Sequence, residues 1–310
     1  MSTKVLVIGA GAIGAYYGAR LAQAGAEVSV VVRSDYDGLS HKGEYAIQSH
    51  QGDFSFKPSQ ILKHPRDYQG IADYVIVATK VLPGIDTREL LKDVVSESTT
   101  IVLLQNGVEI EEPVQQAFPK AEIISGLCFI CVQRVEPGVI DHQDYGHLVI
   151  GRYPQGRSER AERLGRMFNR AGVQCEVSAH VQQARWMKLV WNAPYNPLSV
   201  LAGGANTQQI MANPQTAQLV TDIMEEVYHV AKAVGAEFDY AVLQQNIDRT
   251  LKMCPYKPSM LLDYEAGREM EVESILGSTV KAARRVKVAT PHIDSIYALL
   301  QLVNQTKHSA

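Results

Sequence analysis

Residues 4–25 read KVLVIGAGAIGAYYGARLAQAG. Val5, Leu6, Val7 and Ile8 form a short apolar run rich in β-branched side chains. It stops at Gly9, Gly11 and Gly14, which open a helical pattern carrying Tyr17, Leu21 and Ala22. The stretch reads as strand, tight turn, helix. In a dinucleotide-binding unit the first glycine makes the turn, the second lets the backbone approach the pyrophosphate, and the third lets the helix close on the strand. The phosphates then rest on N–H groups at the helix N-terminus, here those of Ala12, Ile13 and Gly14. Glycine triplets also occur in ordinary loops, so the context decides. An apolar strand precedes this one, a helix follows, and a second apolar run at residues 27–32 (EVSVVV) comes after the turn at residues 24–26. The expectation is an α/β chain with an N-terminal Rossmann-type domain.

The 310 residues suffice for two compact domains. Hydrophobic residues make up 46% and charged residues 20%, which is ordinary for a globular protein. A formal net charge of −3 offers no electrostatic reason to expect nucleic acid or an anionic membrane as partner. No apolar run reaches the ~18 residues that would suggest a membrane span. The residues MSTK lead straight into the first strand without a signal-peptide pattern, so a cytoplasmic location is expected. The sparse Cys128, Cys131, Cys175 and Cys254 fit that reading. Cys128 and Cys131 form a CxxC, but within the strand-like run GLCFICVQ positions i and i+3 point to opposite faces. A buried structural pair is expected there, and no metal site.

Further along, Arg33 closes the second strand, where such folds place an acid for the ribose of NAD or a cation for the 2′-phosphate of NADP. With no acid at that position, NADPH is expected. Residues 44–57 alternate and turn at residues 50–53, a hairpin pattern. The apolar run at residues 73–78 ends in Thr79 and Lys80, and that at residues 99–104 ends in Gln105, Asn106 and Gly107. Ligands of open α/β sheets bind beyond the carboxyl ends of strands, so Lys80 is a candidate cofactor contact and Asn106 a candidate contact to nicotinamide or substrate. A solvated lysine and a plain Asn-Gly turn account for the same residues. More β-type sequence follows to residue 151, then a helix at residues 159–170 and a short strand at residues 173–177. The first domain is read as residues 1–179 and the second, all-helical, as residues 180–310. Within the latter, Pro214 opens and Gly235 closes one helix, and Thr290-Pro291 opens the last, with Ile293, Ile296, Leu299, Leu300 and Val303 as its apolar face.

Residues 185–200, RWMKLVWNAPYNPLSV, place Lys188, Asn192 and Asn196 on one helical face. Two amides and an ammonium on an apolar helix need partners when buried, and the stripe is either a satisfied core network or a substrate site. Pro194 and Pro197 would break or bend a helix, which puts Asn196 at a kink or an end. Residues 258–277, PSMLLDYEAGREMEVESILG, bring Ser259 and then Glu269, Glu271 and Glu273 ahead of a helix from Val272. Favourable charge at a helix N-terminus explains such acids equally well, and composition does not choose among the three.

Taken together, GAGAIG with Gly9, Gly11 and Gly14, ATK ending at Lys80, QNG with Asn106, WMKLVWNAPYNPL with Lys188, Asn192 and Asn196, and SMLLDYEAGREMEVE with Ser259 and Glu271 resemble the ketopantoate reductase (2-dehydropantoate 2-reductase) family over nearly the whole chain. The resemblance implies NADPH-dependent reduction of a small-molecule 2-oxo acid, 2-dehydropantoate to pantoate in pantothenate biosynthesis. It implies that Lys188 is the general acid, that Asn192 and Asn196 contact substrate hydroxyls, that Ser259 takes the carboxylate, and that Glu271 orients the site. Asn106 and Glu271 would also touch cofactor, and a homodimer is a possible assembly. A lysine ammonium beside a developing alkoxide both stabilises it and supplies its proton. Free lysine, near about pKa 10.4, becomes a better acid when desolvated.

Three positions depart from the family pattern around the pocket. The segment before Ser259 reads Tyr256-Lys257-Pro258, where the family has an asparagine before paired serines. Pro194 lies within the NxxxN stretch, and Leu276 stands where asparagine is common. Two other functions therefore stay open: a dehydrogenase for a bulkier 2-oxo or 2-hydroxy acid, which Tyr256 would accommodate, and a regulator that binds NADPH without catalysis. A regulator has no need of Lys188 and Glu271.

Overall fold

A computed structural model describes residues 2–308. The chain divides into two compact units. The first takes the chain up to Lys80, then Ile85–Gln105 and Ile110–Val181. The second takes Val81–Gly84, Asn106–Glu109 and the chain from Gln182 onward.

The first unit contains strands β1 (Lys4–Ile8), β2 (Glu27–Val31), β3 (Tyr45–Ser49), β4 (Phe54–Phe56), β5 (Ile61–Leu62), β6 (Tyr74–Val77), β7 (Thr100–Leu103), β8 (Glu122–Glu136), β9 (Val139–Arg152) and β10 (Cys175–Val177). Helices α1 (Ala12–Gln23), α2 (Tyr36–Lys42), α3 (Thr87–Leu91), α4 (Glu111–Ala117) and α5 (Glu159–Arg170) connect them. One mixed sheet runs in the order β4-β3-β9-β8-β7-β6-β1-β2-β5, with β10 added beside β9. Strand β1 lies parallel between β2 and β6, with Val5 opposite both Val28 and Tyr74. Alternate side chains of the parallel strands enter two different cores. Val5, Val7, Val28, Val30 and Ile76 join one, and Leu6, Ile8, Val31, Val75 and Val77 the other. A strand covered on both faces has no polar side to alternate with, which is why these segments read as continuous apolar runs.

Strand β3 turns back on β4 as the hairpin pattern predicts. The CxxC departs from expectation. Cys128 and Cys131 are half-buried rather than buried, and the register irregularity beside them lies in the partner strand, where Gly146 of β9 has no opposite residue in β8. Neither is in a disulfide, nor is Cys175, whose burial pushes its pKa up to about 12. Among the described residues no cluster of three or more His, Cys, Asp and Glu is arranged to hold a metal ion, and no helix is long and apolar enough to cross a membrane.

The second unit is built on α6 (Val181–Leu201), with α7 (Thr207–Ala212), α8 (Pro214–Ala233), α9 (Ala241–Lys252), α10 (Ser259–Glu265), a π-helical turn at Glu273–Gly277, α11 (Ser278–Val286) and α12 (Pro291–His308). Trp186, Leu189, Val190, Tyr195, Ile223, Met224, Ile275, Leu276 and Leu300 share one core. Helix α8 starts as its sequence predicts: Asn213 Oδ1 accepts from the N–H groups of Gln215 and Thr216, and Pro214 occupies the first turn, where no donor is needed.

Two expectations change. Helix α6 continues through both prolines, so Asn196 is not at a helix end. The prolines remove the two N–H donors that would have bonded the carbonyls of Val190 and Ala193 and crowd those carbonyls with their rings, and burial of the surrounding apolar residues outweighs that cost. In α12, Ile293, Ile296 and Leu300 are buried but Leu299 is 55% exposed, because its place in the helical repeat turns it to the outer face.

The start of α12 is tied to α8 by a carboxylate. Glu226 Oε1 accepts from the His292 N–H at 2.9 Å, and Oε2 accepts from the Ile293 N–H at 2.9 Å. These are orphan donors of a helix N-terminus, satisfied by a side chain distant in sequence. Glu226→Ala is therefore expected to lower unfolding free energy by about 1–3 kcal/mol, measured by urea denaturation. An unchanged midpoint would show that water replaces the carboxylate without cost.

Candidate functional site

Each glycine of the loop does separate steric work. Gly9 has φ +85°, and a Cβ there would lie 2.6 Å from Thr79 Cγ2. A Cβ on Gly14 would lie 2.6 Å from the Gly9 carbonyl oxygen and 3.2 Å from Ala78 Cβ, so only glycine lets α1 approach the sheet this closely. A Cβ on Gly11 would meet nothing within 4 Å. Packing demands glycine at the first and third positions. At the second, open space is left over the backbone, as a pyrophosphate requires.

Helix α1 has no side-chain cap and no acid in its first turn, so the N–H groups of Ala12, Ile13 and Gly14 lack helical acceptors and face no competing anion. The loop is braced from below. Gly9 N–H and Ala10 N–H donate to the Val31 carbonyl at 3.0 and 3.2 Å, and the buried Tyr45 hydroxyl donates to the Ala10 carbonyl at 2.8 Å. These residues fit a dinucleotide, whose phosphates the α1 N-terminus would hold. Lys80 is half-buried three residues after β6, and Arg33 is exposed two residues after the end of β2 rather than closing that strand.

A second group of polar residues lies in the helical unit. Lys188 Nζ donates to Asn106 Oδ1 at 3.0 Å, and Asn106 Nδ2 donates to Glu271 Oε2 at 3.3 Å. The Val81 N–H donates to Glu271 Oε1 at 3.0 Å. Asn106 is thus a bridge, with one end of its amide on the ammonium and the other on the carboxylate. Glu271 is 8% exposed, so its charge is held by directed donors in place of water. Of the three acids before the last helices, Glu271 joins this group. Glu273 Oε1 accepts from Tyr297 and Gln301 instead. That contact and burial push the Tyr297 phenol up to about 12, burial contributing most.

The bridge depends on the turn that carries it. Gly107 has φ +106°, and its carbonyl accepts from Arg185 Nη1 at 3.0 Å. Arg185 is 4% exposed and precedes Lys188 by one helical turn, yet neither it nor the Val81 N–H stood out in the sequence. Only the glycine of QNG hinted at a special backbone there.

The remaining predicted residues divide. Asn192 lies one turn beyond Lys188, and its side-chain amide makes no hydrogen bond with any described residue. Asn196 is 2% exposed and largely committed. Its Oδ1 accepts from Met260 N–H at 3.1 Å and from Ser259 Oγ at 3.4 Å, and its Nδ2 donates to the Asn192 carbonyl at 3.2 Å. It therefore fixes the exposed Ser259 at the start of α10. The Trp191 ring lies tilted against Tyr195 of the same helix and near Tyr256, at ring separations of 5.0 and 6.2 Å.

Comparison with known proteins agrees with both halves of this description. A family model described as ketopantoate reductase PanE/ApbA matches residues 5–155, and one for the C-terminal part of the same family matches residues 180–304. A 2-dehydropantoate 2-reductase of Nostoc sp. is 36% identical, over 97% of this chain and 95% of the relative. The crystal structure of 2-dehydropantoate 2-reductase from Methylococcus capsulatus is 45% identical with a TM-score of 0.92, covering 98% of this chain and 97% of that one. That of the enzyme from Geobacter metallireducens GS-15 is 33% identical with a TM-score of 0.90, covering 96% and 99%. A dinucleotide loop, an ammonium bridged to a buried carboxylate and family matches over both units lead to one conclusion: the chain belongs to the ketopantoate reductase family, as a nicotinamide-dependent oxidoreductase acting on a CH–OH group.

Proposed function

We propose that the chain reduces a 2-oxo acid to the 2-hydroxy acid with NADPH, that 2-dehydropantoate is its substrate, and that the cofactor domain ends at residue 179. The observation that carries this reading is the Lys188–Asn106–Glu271 chain. When bound, the nicotinamide supplies hydride to the carbonyl carbon, which leaves negative charge on the carbonyl oxygen. Lys188 stabilises that charge and donates the proton at Nζ, two tasks an ammonium performs with one atom. Asn106 holds the ammonium through Oδ1, and Glu271 holds Asn106 through Nδ2, so the direction of the amide is set by two charges of opposite sign. The free amide of Asn192 suits a substrate hydroxyl. Ser259, positioned by Asn196, suits the carboxylate. Arg33 supports NADPH over NADH, because its guanidinium has no hydrogen bond or ion pair among the described residues.

The test is NADPH oxidation by purified protein against a panel of 2-oxo acids, with NADH in parallel. Turnover highest with 2-dehydropantoate is the expected result. Highest turnover with an aryl 2-oxo acid would favour the bulkier substrate that Trp191 and Tyr256 suggest. Tight NADPH binding without turnover on any acid would make the protein a sensor and refute the proposal.

A further inference from the structure

The end of β2 carries more charge than Arg33 alone. Asp35, 8% exposed, lies two residues further on, and Arg134 of β8 reaches it with Nη1 2.6 Å from each carboxylate oxygen. The same nitrogen lies 3.4 Å from Ser34 Oγ, which itself donates to Asp35 at 3.0 Å. Every hydrogen bond of Arg134 leaves from Nη1. Its Nε and Nη2 are unused on a side chain that is 36% exposed, and the neighbouring Arg33 is unpaired among the described residues. Ion-pairing the buried acid requires only one edge of a guanidinium, and the other remains free.

The hairpin of β8 and β9 is held against this spot by its own contacts. A Cβ on Gly38 of α2 would lie 2.9 Å from Pro137 Cβ at the hairpin turn, and Lys42 of α2 pairs with Glu136 at 2.6 Å. Tyr45 links the same region to the glycine loop through its bond to the Ala10 carbonyl. Burial, and then the negative charge of Asp35, raise the pKa of the Tyr45 phenol, so the carboxylate acts electrostatically at the loop's edge. A carboxylate at the end of β2 would suit a ribose hydroxyl and repel a ribose phosphate. Arg134 removes that conflict.

We infer that Arg134, together with Arg33 and Ser34, forms the recognition site for a phosphate on the adenosine ribose, Arg134 neutralising Asp35 with one edge and binding the phosphate with the other. The inference rests on the NADPH reading above. Loss of Arg134 would act twice, by removing donors and by leaving the Asp35 charge facing the phosphate.

The experiment compares the parent, Arg134→Met, Asp35→Asn and the double variant Asp35→Asn/Arg134→Met. It measures binding of adenosine 2′,5′-bisphosphate and of AMP by calorimetry, and kcat/KM for NADPH and NADH. Arg134→Met is expected to weaken the bisphosphate on the order of ten- to a hundredfold, the range of a hydrogen bond to a charged group, while AMP binding changes by less than about threefold. The double variant should recover part of the loss, because the repelling charge is gone. Equal losses for bisphosphate and AMP, or no loss for either, would overturn the inference and leave Arg134 a structural tie. Should Arg134→Met fail to fold, the double variant, which has no unpaired charge, carries the same comparison against Asp35→Asn. A parent that prefers NADH would overturn the NADPH reading and this inference together. A parent that prefers NADPH, with the preference unchanged in Arg134→Met, would overturn this inference alone.

Discussion

Replacing Lys188 with alanine is expected to lower kcat for 2-oxo acid reduction by about two to four orders of magnitude, the usual contribution of a positioned proton donor. The KM for cofactor should change little, because the glycine loop and the α1 N-terminus are built from β1, β2 and Tyr45 without Lys188. Lys188→Arg separates two parts of the effect. Arginine keeps the positive charge but does not release a proton near neutrality, so it should restore only the electrostatic share. Unchanged turnover in Lys188→Ala would sink the assigned role.

Gly107→Ala is expected to damage both stability and rate, although the residue bears no side chain. With φ at +106°, an added Cβ would sit 2.4 Å from the Ser274 carbonyl oxygen and 2.9 Å from Ser274 Cβ. Neither is the end of a flexible side chain, so the turn itself must move. A loss of about 1–3 kcal/mol is expected from the strained conformation. Because the next residue back is Asn106, the displacement should also separate Lys188 from Glu271's bridge and lower kcat on the order of a hundredfold. Gly203→Ala is the control. Its φ is +72° with nothing within 4 Å of the added Cβ, so it carries conformational strain without collision. If both variants lose stability equally and Gly107→Ala keeps full kcat, the turn does not set the bridge.

Much of the fold was legible because it depends on local pattern. The buried strands announced themselves as apolar runs, since both their faces meet a core. The starts of α8 and α12 were marked by proline in a position that needs no N–H. Where the reading erred, longer-range packing prevailed over a local rule. Pro194 and Pro197 do not end α6, because the helix is buried around them. The acid near the end of β2 was missed because Asp35 lies two residues beyond Arg33, inside a loop, and is paired with an arginine 99 residues away.

The candidate site divides along the same line. Gly9, Gly11 and Gly14 could be assigned from sequence because every demand on them comes from within one strand, one turn and one helix, or from the strand beside them. The sequence alone therefore determined the strand, turn and helix and the tight glycine packing between them, on which the proposal of a phosphate site rests. Which of Glu269, Glu271 and Glu273 serves the site was decided only in three dimensions. Asn106 meets Lys188 across 82 residues and Glu271 across 165. Periodicity tells which face of an element is buried, but not which polar group of a distant segment it meets there. That choice belongs to tertiary packing, which here brings an ammonium and a carboxylate to the two ends of one amide.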